Sequence, residues 1–147
     1  EQALQIMKGT DLDIALIAGR YTLLDQIAHR DLFPYALAHN IDITMGGVLN
    51  SGVLANPVAG ATYNYLPASD EIILRAQKIG EFLKKRNISL LAAALQFPLR
   101  HPAVTSVLTG PRDVNELEEN IAAFNYQLPE NIWNELEDAN LIERIPR

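Results

Sequence analysis

The stretch VTSVLTGPRDVNELEENIAAF, residues 104–124, decides how the rest of the chain is read. Val104 to Leu108 is a short apolar, β-branched run, which predicts a buried strand. Thr109-Gly110-Pro111 ends it, because glycine and proline punctuate and proline offers no N–H to a ladder. Asp113 is a good helix N-cap, and Glu116 three positions later matches a capping box. Leu117, Ile121 and Phe124 then recur at i, i+4 and i+7, one apolar face of a helix. A strand, a glycine turn and a fresh helix start aim free backbone N–H groups and the positive end of a helix dipole at one place. That is an anion site, and Arg112 stands at its mouth.

The composition is that of an ordinary globular chain. With 147 residues, 48% apolar and 20% charged, it can bury the core of one domain. A net charge of −6 argues against broad binding to nucleic acid or an anionic membrane, and still permits a local phosphate pocket. Cysteine is absent, which excludes disulfides, a thiolate nucleophile and thiolate metal ligation; the expectation is a reducing, cytoplasmic setting. His29, His39 and His101 share no metal-ligand spacing, so no metal site is expected. No apolar run has membrane-spanning length and no signal-peptide pattern opens the chain. The chain starts at Glu1 inside an amphipathic helical pattern (Ala3, Leu4, Ile6, Met7), as a piece of something longer would.

Working outward, Asp13–Ala18 and Ile41–Met45 are further apolar runs of strand length, ended by Gly19 and by Gly46-Gly47. Asp31–His39 reads as a helix with Pro34 in its first turn. Val48–Ala61 is a glycine- and asparagine-rich loop, continued by Tyr63, Tyr65 and Pro67, and too long to be a mere connector. The two tyrosines either close over whatever the loop binds or pack the loop down, and packing is the expected role. Ser69 caps a long helix that ends in Lys84, Lys85 and Arg86, a solvated basic end matched to the dipole. Ser89 caps the next helix, and Pro129 starts the last, which Ile132, Trp133 and Leu136 dock; the tail from Leu141 reads as irregular. Strands apolar throughout, alternating with helices, signal a parallel sheet covered by helices. A (β/α)₈ barrel needs roughly 250 residues, so the pattern fits about the second half of one, as a single partial domain over 1–147.

Four segments carry a family resemblance: AGRYTLLDQ (18–26), GGVLNSGVLA (46–55), AAALQFPLRHPAVTSVLTGPR (92–112) and ELEENIAAF (116–124). In this order and spacing the chain resembles the C-terminal half of an aldo-keto reductase. It is most similar to the subgroup of aldose dehydrogenases acting on L-fucose, L-galactose or D-threo-aldoses and the related pyridoxal dehydrogenase. The resemblance implies a TIM barrel of which the three strands are numbers six to eight. It also implies an NAD- or NADP-dependent oxidoreductase acting on a small carbonyl or sugar substrate. The family's catalytic tyrosine, lysine, aspartate and histidine belong to the other half, so this chain carries none of them and is expected to be inactive alone. The expected partner is the N-terminal half-barrel or a second copy of the chain. The alternative is a non-catalytic half-barrel whose open strand edges pair with another chain.

By the same resemblance, Asn50, Ser51, Gly52 and Leu54 match the loop that wraps the cofactor pyrophosphate. Gly110 and Arg112 match the turn at the adenosine end, and Glu119-Asn120 the adenine-binding pair. Glu116 departs from the pattern, for many NADP-using relatives have Arg or Gln there. A carboxylate would repel a 2′-phosphate and accept from a free ribose 2′-OH, which implies NAD; the competing reading is a capping-box partner for Asp113. Ala18 and Gly19 stand where many relatives have a glutamine, and Gly46 where many have a stacking aromatic ring. Arg20 and Tyr21 then either line the nicotinamide end or only cap the strand, while Gly46 leaves room for a bulky substrate.

Overall fold

The computed structural model describes residues 2–144. Glu1 and residues 145–147 lie outside it, so the irregular tail read over 141–147 is described only as far as Arg144. Three parallel strands, β1 (Ile14–Ala18), β2 (Asp42–Gly46) and β5 (Val104–Leu108), form one sheet in the order β1-β2-β5. Ala18 pairs with Gly46 and Gly46 with Leu108, so all three strands end level with one another. The register slips once, between Ile43 and Thr44.

Among the described residues six α-helices accompany the sheet: α1 (Gln2–Gly9), α2 (Leu32–Ala38), α3 (Asp70–Lys84), α4 (Leu90–Gln96), α5 (Val114–Phe124) and α6 (Ile132–Asp138). Their starts follow the sequence. Ser69 accepts the Ile72 N–H, Ser89 the Ala92 N–H and Asp113 the Glu116 N–H, each satisfying a donor the first turn leaves free. Pro98 turns the end of α4 into a short 3₁₀ segment, Phe97–Arg100.

One sheet face carries the core. Ile17, Ile43, Met45 and Val104 are buried with Ile79 and Leu83 of α3 and Ala93 and Leu95 of α4. Ile132 and Leu136 dock α6, and Trp133 meets the Phe97 ring edge to face at 5.7 Å. The opposite face is open: Ile14, Leu16 and Leu108 are 56%, 56% and 54% exposed, and Thr44 and Ser106 share a 2.8 Å hydroxyl–hydroxyl bond there. β1 and β5 are both edge strands. For the same reason the apolar face of α5 is only half covered. Leu117, Ile121 and Phe124 line one apolar groove with Leu95 and Val107 and are 42%, 52% and 42% exposed, since among the described residues no strand pairs with the outer edge of β5.

The long loop after β2 contains structure that its composition hid. Thr62–Tyr63 (β3) and Leu66–Pro67 (β4) form a short antiparallel hairpin. Its two turn residues, Asn64 and Tyr65, both have positive φ, 50° and 65°, as in the tight turns that suit the strand twist. Tyr65 sits at the tip and is 91% exposed, which corrects the expectation that it packs the loop down.

Candidate functional site

Because β2 and β5 end level, the loops that leave them emerge side by side. Between them lies a cleft of about 500 Å³. Ser51 and Gly52 line it from the β2 loop; Gly110, Arg112, Glu116, Glu119 and Asn120 line it from the β5 turn and the first turns of α5. Val48, Leu49, Leu91, Leu108 and Pro111 supply an apolar wall that the sequence reading did not single out. They look like ordinary core residues in sequence, and only the fold, which sets Leu91 of α4 beside the level strand ends, puts them here.

Arg112 and Glu116 form the polar centre of the cleft. The Glu116 carboxylate accepts the Arg112 backbone N–H at 2.8 Å and the guanidinium Nε–H at 2.8 Å, with a second guanidinium nitrogen on the same oxygen. These bonds hold the Glu116 carboxyl below the usual carboxylate range and raise the Arg112 guanidinium further. The capping box is therefore half made. Asp113 Oδ1 takes the Glu116 N–H at 2.9 Å, but Glu116 returns to the N–H of Arg112 instead of that of Asp113.

Ser51 is held by the hairpin. The Thr62 hydroxyl donates to the Ser51 carbonyl at 2.5 Å, and the Tyr65 N–H donates to Ser51 Oγ at 3.0 Å. Ser51 and Asn50 both have left-handed backbone, φ 60° and 47°. Thr62 was not a site candidate in sequence, and Tyr65 was weighed only as a ring that closes over the cofactor or packs the loop, not for its backbone N–H.

Five other candidates lie off this cleft. The Leu54 side chain is fully buried in the core and does not line the cleft. Asn50 is 2% exposed; its amide points toward the Gly19 turn and neither polar atom finds a hydrogen-bond partner among the described residues. Arg20 pairs with Asp25 at 3.1 Å and closes the loop after β1, the capping alternative. Tyr21 is fully buried, its ring 4.9 Å from both Phe33 and Phe97 and 5.9 Å from His101. That corrects the nicotinamide-lining alternative for Tyr21: a ring enclosed in the helix-side core cannot face the open end of the strands. Gly46 lies at the end of β2, where an added Cβ would sit 3.5 Å from Leu16 Cδ2 and 3.9 Å from the Ala18 Cβ. It borders the open face and not the cleft. Among the described residues no helix is long and apolar enough to cross a membrane.

A nicotinamide dinucleotide can be tested against these residues directly. An apolar wall suits a purine ring, an Asn-Glu pair suits its polar edge, and a serine hydroxyl beside glycine backbone suits phosphate oxygens. The residues fit the adenosine and pyrophosphate end of such a molecule.

The aldo/keto reductase family model matches residues 1–141. The chain is 38% identical over 137 residues to pyridoxal 4-dehydrogenase of Microbacterium luteolum, covering 92% of this chain and 40% of that protein. It is 35% identical over 138 residues to D-threo-aldose 1-dehydrogenase of a Pseudomonas species, covering 92% of this chain and 42% of that one. The chain thus spans about two fifths of the length of these relatives. An aldo-keto reductase of Bacillus halodurans, solved in its holo form, superposes with a TM-score of 0.71 at 20% identity, over 95% of this chain and 46% of that one. The open three-stranded sheet with its helices is therefore half of a (β/α)₈ barrel. With a family match over nearly every residue, the chain belongs to the aldo/keto reductase family.

Proposed function

We propose that this chain is the cofactor-binding half of an NAD-dependent oxidoreductase acting on a small sugar-like or pyridoxal-like carbonyl substrate. One observation carries the reading. Ser51 and Gly52, from one βα loop, and Gly110, Arg112, Glu116, Glu119 and Asn120, from another, face the same cleft.

The cofactor, when bound, supplies the hydride chemistry; the residues of this chain bind and orient it. Ser51 and the backbone at Gly52 meet the pyrophosphate, and Glu119 and Asn120 meet the adenine. Arg112 already has its guanidinium engaged by Glu116, so the pair offers a ribose 2′-OH an acceptor and a 2′-phosphate an anion at close range. This favours NAD over NADP. The acid–base residues belong to the rest of the barrel, which also shares the substrate pocket. The sugar-like or pyridoxal-like class comes from the names of the two relatives above.

The test is a fluorescence titration of the full-length gene product with NADH and NADPH. NADH should bind about tenfold or more tightly than NADPH, and Glu116→Gln should narrow the gap, since like charges at close range are costly. Tighter binding of NADPH refutes the NAD preference. Absence of binding by either dinucleotide refutes the cofactor reading and favours the alternative, a non-catalytic half-barrel. That alternative draws its support from the open strand edges and the exposed Ile14, Leu16 and Leu108.

A further inference from the structure

Ser51 is an expensive residue at its position. Its φ of 60° and ψ of 18° lie in the left-handed region, where glycine would sit without penalty and a serine does not. Such strain persists only where the surroundings over-determine it, and it gathers where a side chain is needed. The surroundings here are specific. The β3–β4 hairpin holds Ser51 at two points, its carbonyl through the Thr62 hydroxyl and its Oγ through the Tyr65 backbone N–H. The second bond occupies an acceptor site on Oγ and leaves the hydroxyl proton to be donated elsewhere. Ser51 is one of the residues that line the cleft. Tyr63 packs the hairpin against the core, while Thr62 and Tyr65 are exposed, so the bonds these two make to Ser51 are not a by-product of their own burial.

We infer that the Thr62–Pro67 hairpin is a positioning device: through Thr62 and the Tyr65 N–H it fixes the strained Ser51 so that its hydroxyl donates to a phosphate oxygen of the dinucleotide. The inference rests on the cofactor reading above and adds to it the residues that set the geometry of the phosphate contact. Thr62 is a positioning residue, since it acts through Ser51.

The experiment is an NADH titration of the full-length protein and four variants: Thr62→Val, Thr62→Ser, Ser51→Ala and the Ser51→Ala/Thr62→Val double. Thr62→Val should weaken NADH about five- to tenfold, the worth of one hydrogen bond in a good geometry. Thr62→Ser, which keeps the hydroxyl, should restore binding. Ser51→Ala should weaken it by a similar factor, and the double variant should lose little more than either single, because both act through one contact. A merely structural role for Thr62 predicts additive losses and no dependence on Ser51. Wild-type affinity in Thr62→Val, additive losses, or no rescue by serine overturns the inference while leaving the cofactor reading intact. If the wild-type protein itself binds no NADH, the cofactor reading falls and takes the inference with it. Since Thr62 is solvent-exposed, its substitution leaves the core untouched; Thr62→Ala replaces the valine variant if the latter lowers the unfolding midpoint.

Discussion

Replacing Tyr21 with phenylalanine should stabilise the protein. The Tyr21 ring is fully buried against Phe33 and Phe97, and its hydroxyl finds no hydrogen-bond partner among the described residues. A buried hydroxyl without a partner costs about 1–3 kcal/mol, whereas phenylalanine keeps the ring, its volume and its edge-to-face contacts. Tyr21→Phe should therefore gain about 1–3 kcal/mol at pH 8. The same burial pushes the phenol up from 10.0 to about 12. The sign follows from which state ionises first. The unfolded chain loses the proton near pH 10 while the folded one still holds it, so this contribution is intact below pH 10 and lost as pH rises toward 12. With a pKa gap near two units, wild-type protein should lose about 1.4 kcal/mol from this source by pH 11, at 1.36 kcal/mol per unit. The phenylalanine variant lacks that loss, so its advantage should widen by the same amount. The assay is urea unfolding of full-length wild-type and variant proteins, followed by circular dichroism at pH 8 and pH 11, with equal m values as the check on two-state behaviour. A variant less stable than wild type at pH 8 refutes the unpartnered hydroxyl. A stability difference that stays constant between the two pH values refutes the raised ionisation.

Two further substitutions probe the scaffold around the site. Glu137→Ala should destabilise by about 3–5 kcal/mol in urea unfolding, because it strands the largely buried Arg100, whose guanidinium donates to Glu137 Oε1 at 2.6 Å and whose Nη1 already lacks a partner among the described residues. Gly47→Ala should cost about 1–2 kcal/mol for the left-handed backbone alone, φ 60°, and its Cβ would press to 3.3 Å on the Gly19 nitrogen. Gly19 N–H donates to Gly46 carbonyl at 2.9 Å, so the Gly47→Ala variant should also weaken NADH by disturbing the start of the cleft loop.

Much of this molecule is written in short-range pattern. The three strands are apolar runs closed by glycine, and the helix starts at Ser69, Ser89 and Asp113 carry their caps in the sequence. The hairpin at Thr62–Pro67 was not legible, because a tyrosine at a left-handed turn position breaks the usual Asn-Gly signal. Tyr21 was half legible: its place just after a strand was clear, but the side to which the chain turns there was not. Leu54 shows the limit of a motif match, since its side chain is buried in the core and does not line the cleft. Glu116 was legible as a residue with two possible partners, and the structure gave it a third in the Arg112 N–H.

The sequence by itself determined the three sheet strands, the helices, their order and the family, because side-chain periodicity, capping and punctuation act within a few residues. The tertiary structure alone decided which candidates meet. Gly46 pairs with Leu108, so two loops far apart in sequence leave the sheet side by side and enclose one cleft. That convergence depends on parallel strand register, a long-range property that local patterns do not encode. The same register, by leaving β1 and β5 as edges, exposes Leu16, Leu108 and the face of α5, and it is what makes this chain half of a barrel.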